Sequence, residues 1–577
     1  MTNDIEWWRE SVVYQIYPRS FADSNGDGIG DINGIRSKVS YLAKLGIDAI
    51  WLSPHYVSPM NDAGYDVANY RDVDPIFGTL QDFEQLVTEV HDAGMRIICD
   101  IVPNHSSWDH PWFKEALAYP LPDGKGVPAK TRFAEGPWAR YLLLRGAKDG
   151  AEAPNNWMSV FGGRAWSEIK EADGKGTGWW YLHIFDKSQP DLDWTNDEIR
   201  AEFRGNLRFW FDRGVDGLRI DVAHGLAKAE GYPDCPEIVD GDPSNKNPYW
   251  DQDYVHEIWR EWRLVANEYE PNRIFVGEIW VGPASRSALY VRPDELHTGF
   301  NFDYMTAKWD GAKFRKIIDT ALEADAANGA PSTWVLENHD TWRATTRYAP
   351  IIGGEDEDTT VSGNLDISKA VDWQSPRDLE VGRVRARAAL LTMLALPGVA
   401  YMYNGQELAL EEVFDIPAAL RQDPAFHNTK GVQVGRDGCR VPLPWDNSSA
   451  TFGFNSGSET WLPQPAGWSA LAASEQEGVA DSTLTLTQTA LRLRKAEPAL
   501  GGVTDDVKPL IWDKTDADVL SFVRPARGGS KGIRCVMNLS DKRVKVAASG
   551  QMLVESQHGA FLEGTLAPNT SVWLLEN

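Results

Sequence analysis

Short apolar runs rich in Val and Ile recur along this chain, separated by longer stretches whose apolar positions return every three or four residues. The runs predict buried strands at Val12–Tyr17, Ala49–Ser53, Arg96–Val102, Gly217–Val222, Ile274–Ile279, Phe300–Asp303, Thr333–Leu336 and Val399–Tyr403. The stretches between them predict helices such as Asp82–Ala93, Glu198–Arg213, Val255–Glu268 and Arg383–Leu394. Strand–helix alternation repeated eight times predicts an α/β fold, a parallel TIM (β/α)8 barrel.

Two connections are too long for simple loops. Residues 105–180, rich in Gly, Pro, Asn and Trp, predict a small inserted domain after the third strand. The second runs from Gln406 to about Asp481, after the eighth strand. Beyond the helical stretch Leu484–Lys495 the pattern changes to alternating segments, Val519–Arg524, Ile533–Asn538 and Ser571–Leu575, which predict an antiparallel β domain. The expected organisation is a barrel from 1–104 and 181–500, an insertion at 105–180, and a C-terminal β-sandwich at 501–577.

Composition narrows the function. A net charge of −27 repels phosphate backbones, so nucleic acid is excluded as a partner. The longest apolar run, Ala388–Tyr403, is broken by Pro397 and Gly398 and is too short to span a membrane. Met1–Glu10 has no signal-peptide pattern, and Cys99, Cys235, Cys439 and Cys535 are scattered, so a cytoplasmic protein with reduced thiols is expected, as monomer or homodimer. Core packing accounts for most of the 25 Trp, 18 Tyr and 20 Phe, and sugar-binding clefts also use aromatic faces under a pyranose ring.

Catalytic side chains of such barrels sit where strands end. Here the third strand runs into Asp100-Ile-Val-Pro-Asn-His105, the fourth holds Arg219-Ile-Asp221, the fifth ends at Glu278 and the seventh at Glu337-Asn-His339-Asp340. Side chains alternate along a strand, so Arg219 and Asp221 share a side, and the cation favours an ionised, nucleophilic Asp221. Glu278 is flanked by Val276, Gly277, Ile279 and Trp280, surroundings that disfavour its charge and suit a proton donor. Two carboxyl groups in opposed environments are what glycoside hydrolysis requires. Separately, Asp23-Ser-Asn25-Gly-Asp27-Gly-Ile29-Gly-Asp31 offers oxygens at alternate positions, as Ca²⁺ requires, although Gly34 stands where an EF-hand needs its Glu.

Asp100–His105, Gly217–Asp221, Glu278, Asn338–Asp340 and Gln189-Pro-Asp-Leu-Asp193 together resemble the α-amylase family of glycoside hydrolases, in its α-glucosidase and oligo-1,6-glucosidase branch. The resemblance implies Asp221 as nucleophile, Glu278 as acid/base and Asp340 as transition-state stabiliser. It implies that His105, Gln189, Arg219 and His339 bind substrate, that Tyr65 and an Asp66–Arg440 pair close the pocket behind a terminal glucose, and that Phe161 and Phe185 line the entrance. It also implies a structural cation, Ca²⁺ or alternatively Mg²⁺, on the side chains of Asp23, Asn25, Asp27 and Asp31 and the Ile29 carbonyl, and no organic cofactor. The expected substrates are small neutral α-glucosides. Val222, after the nucleophile, points to α-1,6 bonds, whereas Ala223-His224-Gly225 is similar to actinobacterial α-glucosidases active on maltose, so short α-1,4 substrates are preferred here. A transglucosylase or sugar isomerase uses the same carboxylates, but the Arg-Leu-Asp-Arg-Asp segment of sucrose isomerases is absent. A non-catalytic transporter subunit is disfavoured, because all three acids are present.

Overall fold

The computed structural model describes residues 4–236, 247–353, 375–501, 509–546 and 550–577. Eight parallel strands close into a barrel in chain order. They are β1 (Val12–Ile16), β2 (Ala49–Leu52), β3 (Arg96–Ile101), β4 (Gly217–Ile220), β5 (Ile274–Gly277), β6 (Thr298–Asn301), β7 (Thr333–Val335) and β8 (Val399–Tyr403). β1 pairs with both β2 and β8, which shuts the ring.

Strand alternation sorts the side chains into two cores. Val13, Trp51, Ile98, Val276, Phe300, Val335 and Tyr401 form one buried cluster, the filling of the barrel. Their neighbours Tyr14, Ile50, Cys99, Leu218 and Ile220 belong to the larger cluster shared with the helices. Two residues further along the filling rows, polarity replaces Val and Ile: Gln15, Ser53, Asp100, Glu278 and Glu337. The same periodicity that packs the barrel thus delivers polar groups to its C-terminal rim.

Helices cover the outside. Leu80–Asp92 begins with a capping box between Thr79 and Asp82, and Asp197–Phe211 begins on Asn196 with acids in its first turn. Leu379–Ala395 is buried on more than one face, because the C-terminal sheet covers the side that the barrel leaves free. Trp573 Nε1 donates to Leu391 O at 3.1 Å and Ser571 Oγ to Ala388 O at 3.0 Å across this junction. The apolar run Ala388–Tyr403 therefore divides between this helix and β8. Gly398 at the break has φ +104°, and a Cβ there would stand 2.2 Å from Ser332 O. Among the described residues no helix is long and apolar enough to cross a membrane.

Between β3 and β4 lies a three-stranded antiparallel sheet of Leu143–Arg145, Trp166–Lys170 and Gly176–Leu182. The C-terminal region forms a five-stranded and a three-stranded sheet, with antiparallel pairings. All four cysteines are free thiols.

Candidate active site

β4 and β5 are paired with Ile220 opposite Gly277, so Asp221 and Glu278 leave the rim side by side. Their carboxyl groups are brought to one guanidinium, that of Arg219. Arg219 is buried beneath them. Its Nη1 donates to Asp100 Oδ1 at 2.9 Å and Asp221 Oδ1 at 2.8 Å, and its Nη2 donates to Glu278 Oε2 at 2.7 Å. One cation thus faces three carboxyl groups, and protons make up the deficit. Burial pushes Asp100 up to about 7 against the pull of Arg219. Burial, and after it the neighbouring Glu278, pushes Asp221 well above the ordinary carboxylate range.

A second cluster surrounds Asp340, which follows β7. Its Oδ1 accepts from Arg436 Nη1 and Arg440 Nη2, both at 3.0 Å, and its Oδ2 lies 3.2 Å from His339 Nε2. Burial alone would raise Asp340, but His339, Arg436 and Arg440 outweigh it and hold this carboxyl well below the usual range. Arg436 also donates to Asp62 Oδ1 at 2.7 Å and Asp423 Oδ2 at 2.6 Å, and its guanidinium lies 4.8 Å from the centre of the Phe161 ring. Tyr65 joins the clusters: its hydroxyl donates to Asp100 Oδ2 at 3.0 Å and lies 2.5 Å from His339 Nε2.

Gln189 Nε2 reaches Asp62 Oδ2 and His105 Nε2, each at 3.0 Å. Burial lowers His105 to about 4, so its ring is neutral at pH 7 and can donate and accept toward hydroxyl groups, and burial lowers His339 against the pull of Asp340. Phe185 packs 5.2 Å from His105 and 5.6 Å from Phe161, an aromatic wall beside these polar groups.

Three sequence expectations are corrected. First, Asp66 and Arg440 do not pair. Asp66 accepts from Ser58 Oγ and the amides of Asn61 and Asp62, folding the turn on which Asp62 sits, while Arg440 binds Asp340 and the His339 carbonyl. The ion pair joins Asp62 to Arg436. Second, Asp221 does not have Arg219 to itself, and burial with Glu278 works against its charge. Third, the surroundings of Glu278 are polar: besides Arg219, Val222 N donates to Oε2 at 3.0 Å and Trp280 Nε1 to Oε1 at 2.9 Å. Asp62, Arg436 and Asp423 were missed, although Asp62 stands three residues before Tyr65 and Arg436 opens the segment that contains Arg440.

The loop expected to hold a cation folds on itself. Asp23 accepts from the amides of Asn25, Gly26 and Gly28, Asn25 from Asp27 N, Asp27 from Ile29 N, and Asp31 from Ser24 N and Gly34 N. Its all-oxygen donor set suits a hard cation. Among the described residues, however, no three acidic, His or Cys side chains gather as a ligand group.

The alpha-amylase catalytic-domain family model matches residues 15–502. The chain is 35% identical over 498 residues to an oligo-1,6-glucosidase of Parageobacillus thermoglucosidasius, covering 79% of this chain and 78% of that one. It is 33% identical over 573 residues to a probable alpha-glucosidase of Rhizobium meliloti (strain 1021), covering 93% and 90%. Among solved structures, an alpha-glucosyl transfer enzyme, XgtA, matches with a TM-score of 0.80 at 31% identity over 99% of both chains. The trehalulose synthase MutB from Pseudomonas mesoacidophila MX-45 also matches with a TM-score of 0.80, at 28% identity over 99% of each. The chain belongs to the α-amylase family of glycoside hydrolases, and its activity is of the glucosidase type.

Proposed function

We propose that the protein is an exo-acting, retaining α-glucosidase that removes terminal α-linked glucose from short oligosaccharides. The observation that carries this reading is the placing of Asp221 and Glu278, at the ends of adjacent strands, on one buried guanidinium, that of Arg219. Two carboxyl groups held on one guanidinium at neighbouring strand ends suit a mechanism in which one attacks and the other gives the proton. In the first step Glu278 acts as the acid and carries a proton. The proton passes to the glycosidic oxygen as that bond breaks, while ionised Asp221 bonds to C1 of the glucosyl unit. In the second step Glu278 takes a proton from water as the water oxygen displaces Asp221 from C1. Two inversions restore the α configuration.

Asp340, held anionic by two arginines, suits binding of sugar hydroxyls and support of the positive charge that develops at C1. The Asp62–Arg436 pair, backed by Gln189 and Phe161, is suited to close the pocket behind a terminal glucose, as an exo mode requires. Maltose-like α-1,4 substrates remain the preferred class, with α-1,6 bonds the alternative. A Ca²⁺ or Mg²⁺ ion in the loop of Asp23, Asn25, Asp27, Ile29 and Asp31 belongs to the proposal as a structural element without a part in the chemistry.

A second reading is transfer of glucose to a sugar, favoured by the match to an alpha-glucosyl transfer enzyme. Timed product identification on sucrose, maltose and isomaltose separates the two. Glucose as main product supports hydrolysis, whereas isomers or longer sugars replace it with transfer.

A further inference from the structure

Trp280 was read from sequence only as an apolar flank, yet its indole points back at Glu278. Nε1 donates to Oε1 at 2.9 Å, the oxygen that Arg219 and Val222 leave untouched. The ring cannot swing away freely, because it stacks on Phe302 with centroids 3.6 Å apart and planes 6° from parallel. Phe302 is buried at the start of the turn after β6, so the stack anchors the β5 exit to the next strand. An indole N–H can only donate. It therefore bonds better to a charged carboxylate than to a carboxyl group.

We propose that Trp280 is a positioning residue: it fixes the Glu278 carboxyl through Oε1 and favours its ionised form, the form that accepts a proton from water in the second step. This rests on the reading of Glu278 as acid/base. Among the described residues, the other charged or titratable groups facing Glu278 are Arg219 and Asp221 from β4, Asp100 from β3 and His224 from the turn after β4, while the uncharged Phe302 comes from the end of β6. None of these is touched when Trp280 becomes Phe, a change that keeps an aromatic face on Phe302 and removes the N–H.

The test measures the pH dependence of kcat/KM on maltose, together with carboxyl ¹³C NMR titration of the free enzyme labelled at glutamate, the Glu278 signal being assigned by its loss in Glu278→Gln. Trp280→Phe and, as a second N–H deletion, Trp280→Leu are expected to move the basic limb and the Glu278 titration to higher pH. The shift expected is about one unit, the size of one charge-assisted hydrogen bond. Phe302→Leu, which weakens the stack and keeps the N–H, is expected to shift both by less than either Trp280 variant. No shift in the Trp280 variants, or an equal shift in Phe302→Leu, overturns the proposal. Should the wild type cleave neither maltose nor isomaltose, the functional reading fails, and the NMR titration still decides the role of Trp280.

Discussion

The replacement of the expected Asp66–Arg440 pair by Asp62–Arg436 makes a quantitative prediction, because the two aspartates do different work. Asp66 is fully buried and accepts two backbone amides and the Ser58 hydroxyl. Asp66→Ala strands the two amides in the interior, at ~1–3 kcal/mol each, for a stability loss of roughly 2–6 kcal/mol. In Asp62→Ala, by contrast, Arg436 keeps Asp340 and Asp423, and Gln189 keeps His105, so the fold loses little. What Asp62→Ala removes is a charged acceptor for a sugar hydroxyl, ~1.5–3 kcal/mol, or about 10–150-fold in kcat/KM. Melting curves and p-nitrophenyl α-glucoside hydrolysis measured on both variants give the comparison. Asp66→Ala is expected to melt several degrees lower and, while folded, to lose less activity than Asp62→Ala. A pH series adds a sign. Burial pushes Asp66 up to about 6 from 3.8, so the folded chain holds this proton more tightly than the unfolded one. The stability from this group is full below 3.8 and is lost as pH rises through about 6, and replacing Asp66 flattens that slope. The reverse ranking, with Asp66→Ala inactive at an unchanged melting temperature, refutes the assignment.

Two further outcomes follow from the same site. Glu278→Gln is expected to slow cleavage of maltose by ~10²–10⁴-fold but the first step on p-nitrophenyl α-glucoside far less, since a good leaving group needs no proton; equal losses in pre-steady-state rates count against Glu278 as the acid. Exhaustive chelation followed by metal analysis and thermal melting is expected to remove about one equivalent of Ca²⁺ or Mg²⁺ and to lower the melting temperature, and no change in either removes the ion from the account.

The barrel was legible because period-two alternation and strand–helix order are local properties, and both survive in one sequence. The same alternation carried Asp100, Arg219 and Glu278 to the rim correctly. It stopped being a guide where strands end. Strand β4 closes at Ile220, and Val222 adopts φ +47°, so no alternation rule reaches the turn that follows. Met60, Ala63 and Gly64 also have positive φ, which turns Asp62 toward Arg436 and Asp66 toward the backbone. The surroundings of Glu278 were misjudged for a related reason. Its sequence neighbours are apolar, but Arg219 and Val222 come to it from β4, through space.

A nucleophilic carboxylate at the end of β4 is best examined by stopping the reaction halfway. Incubation with 5-fluoro-α-glucosyl fluoride, followed by peptide mass spectrometry, is expected to find one fluoroglucosyl group per chain, esterified to Asp221. Turnover of this reagent with no adduct on Asp221, or an adduct on another carboxyl group, contradicts the mechanism.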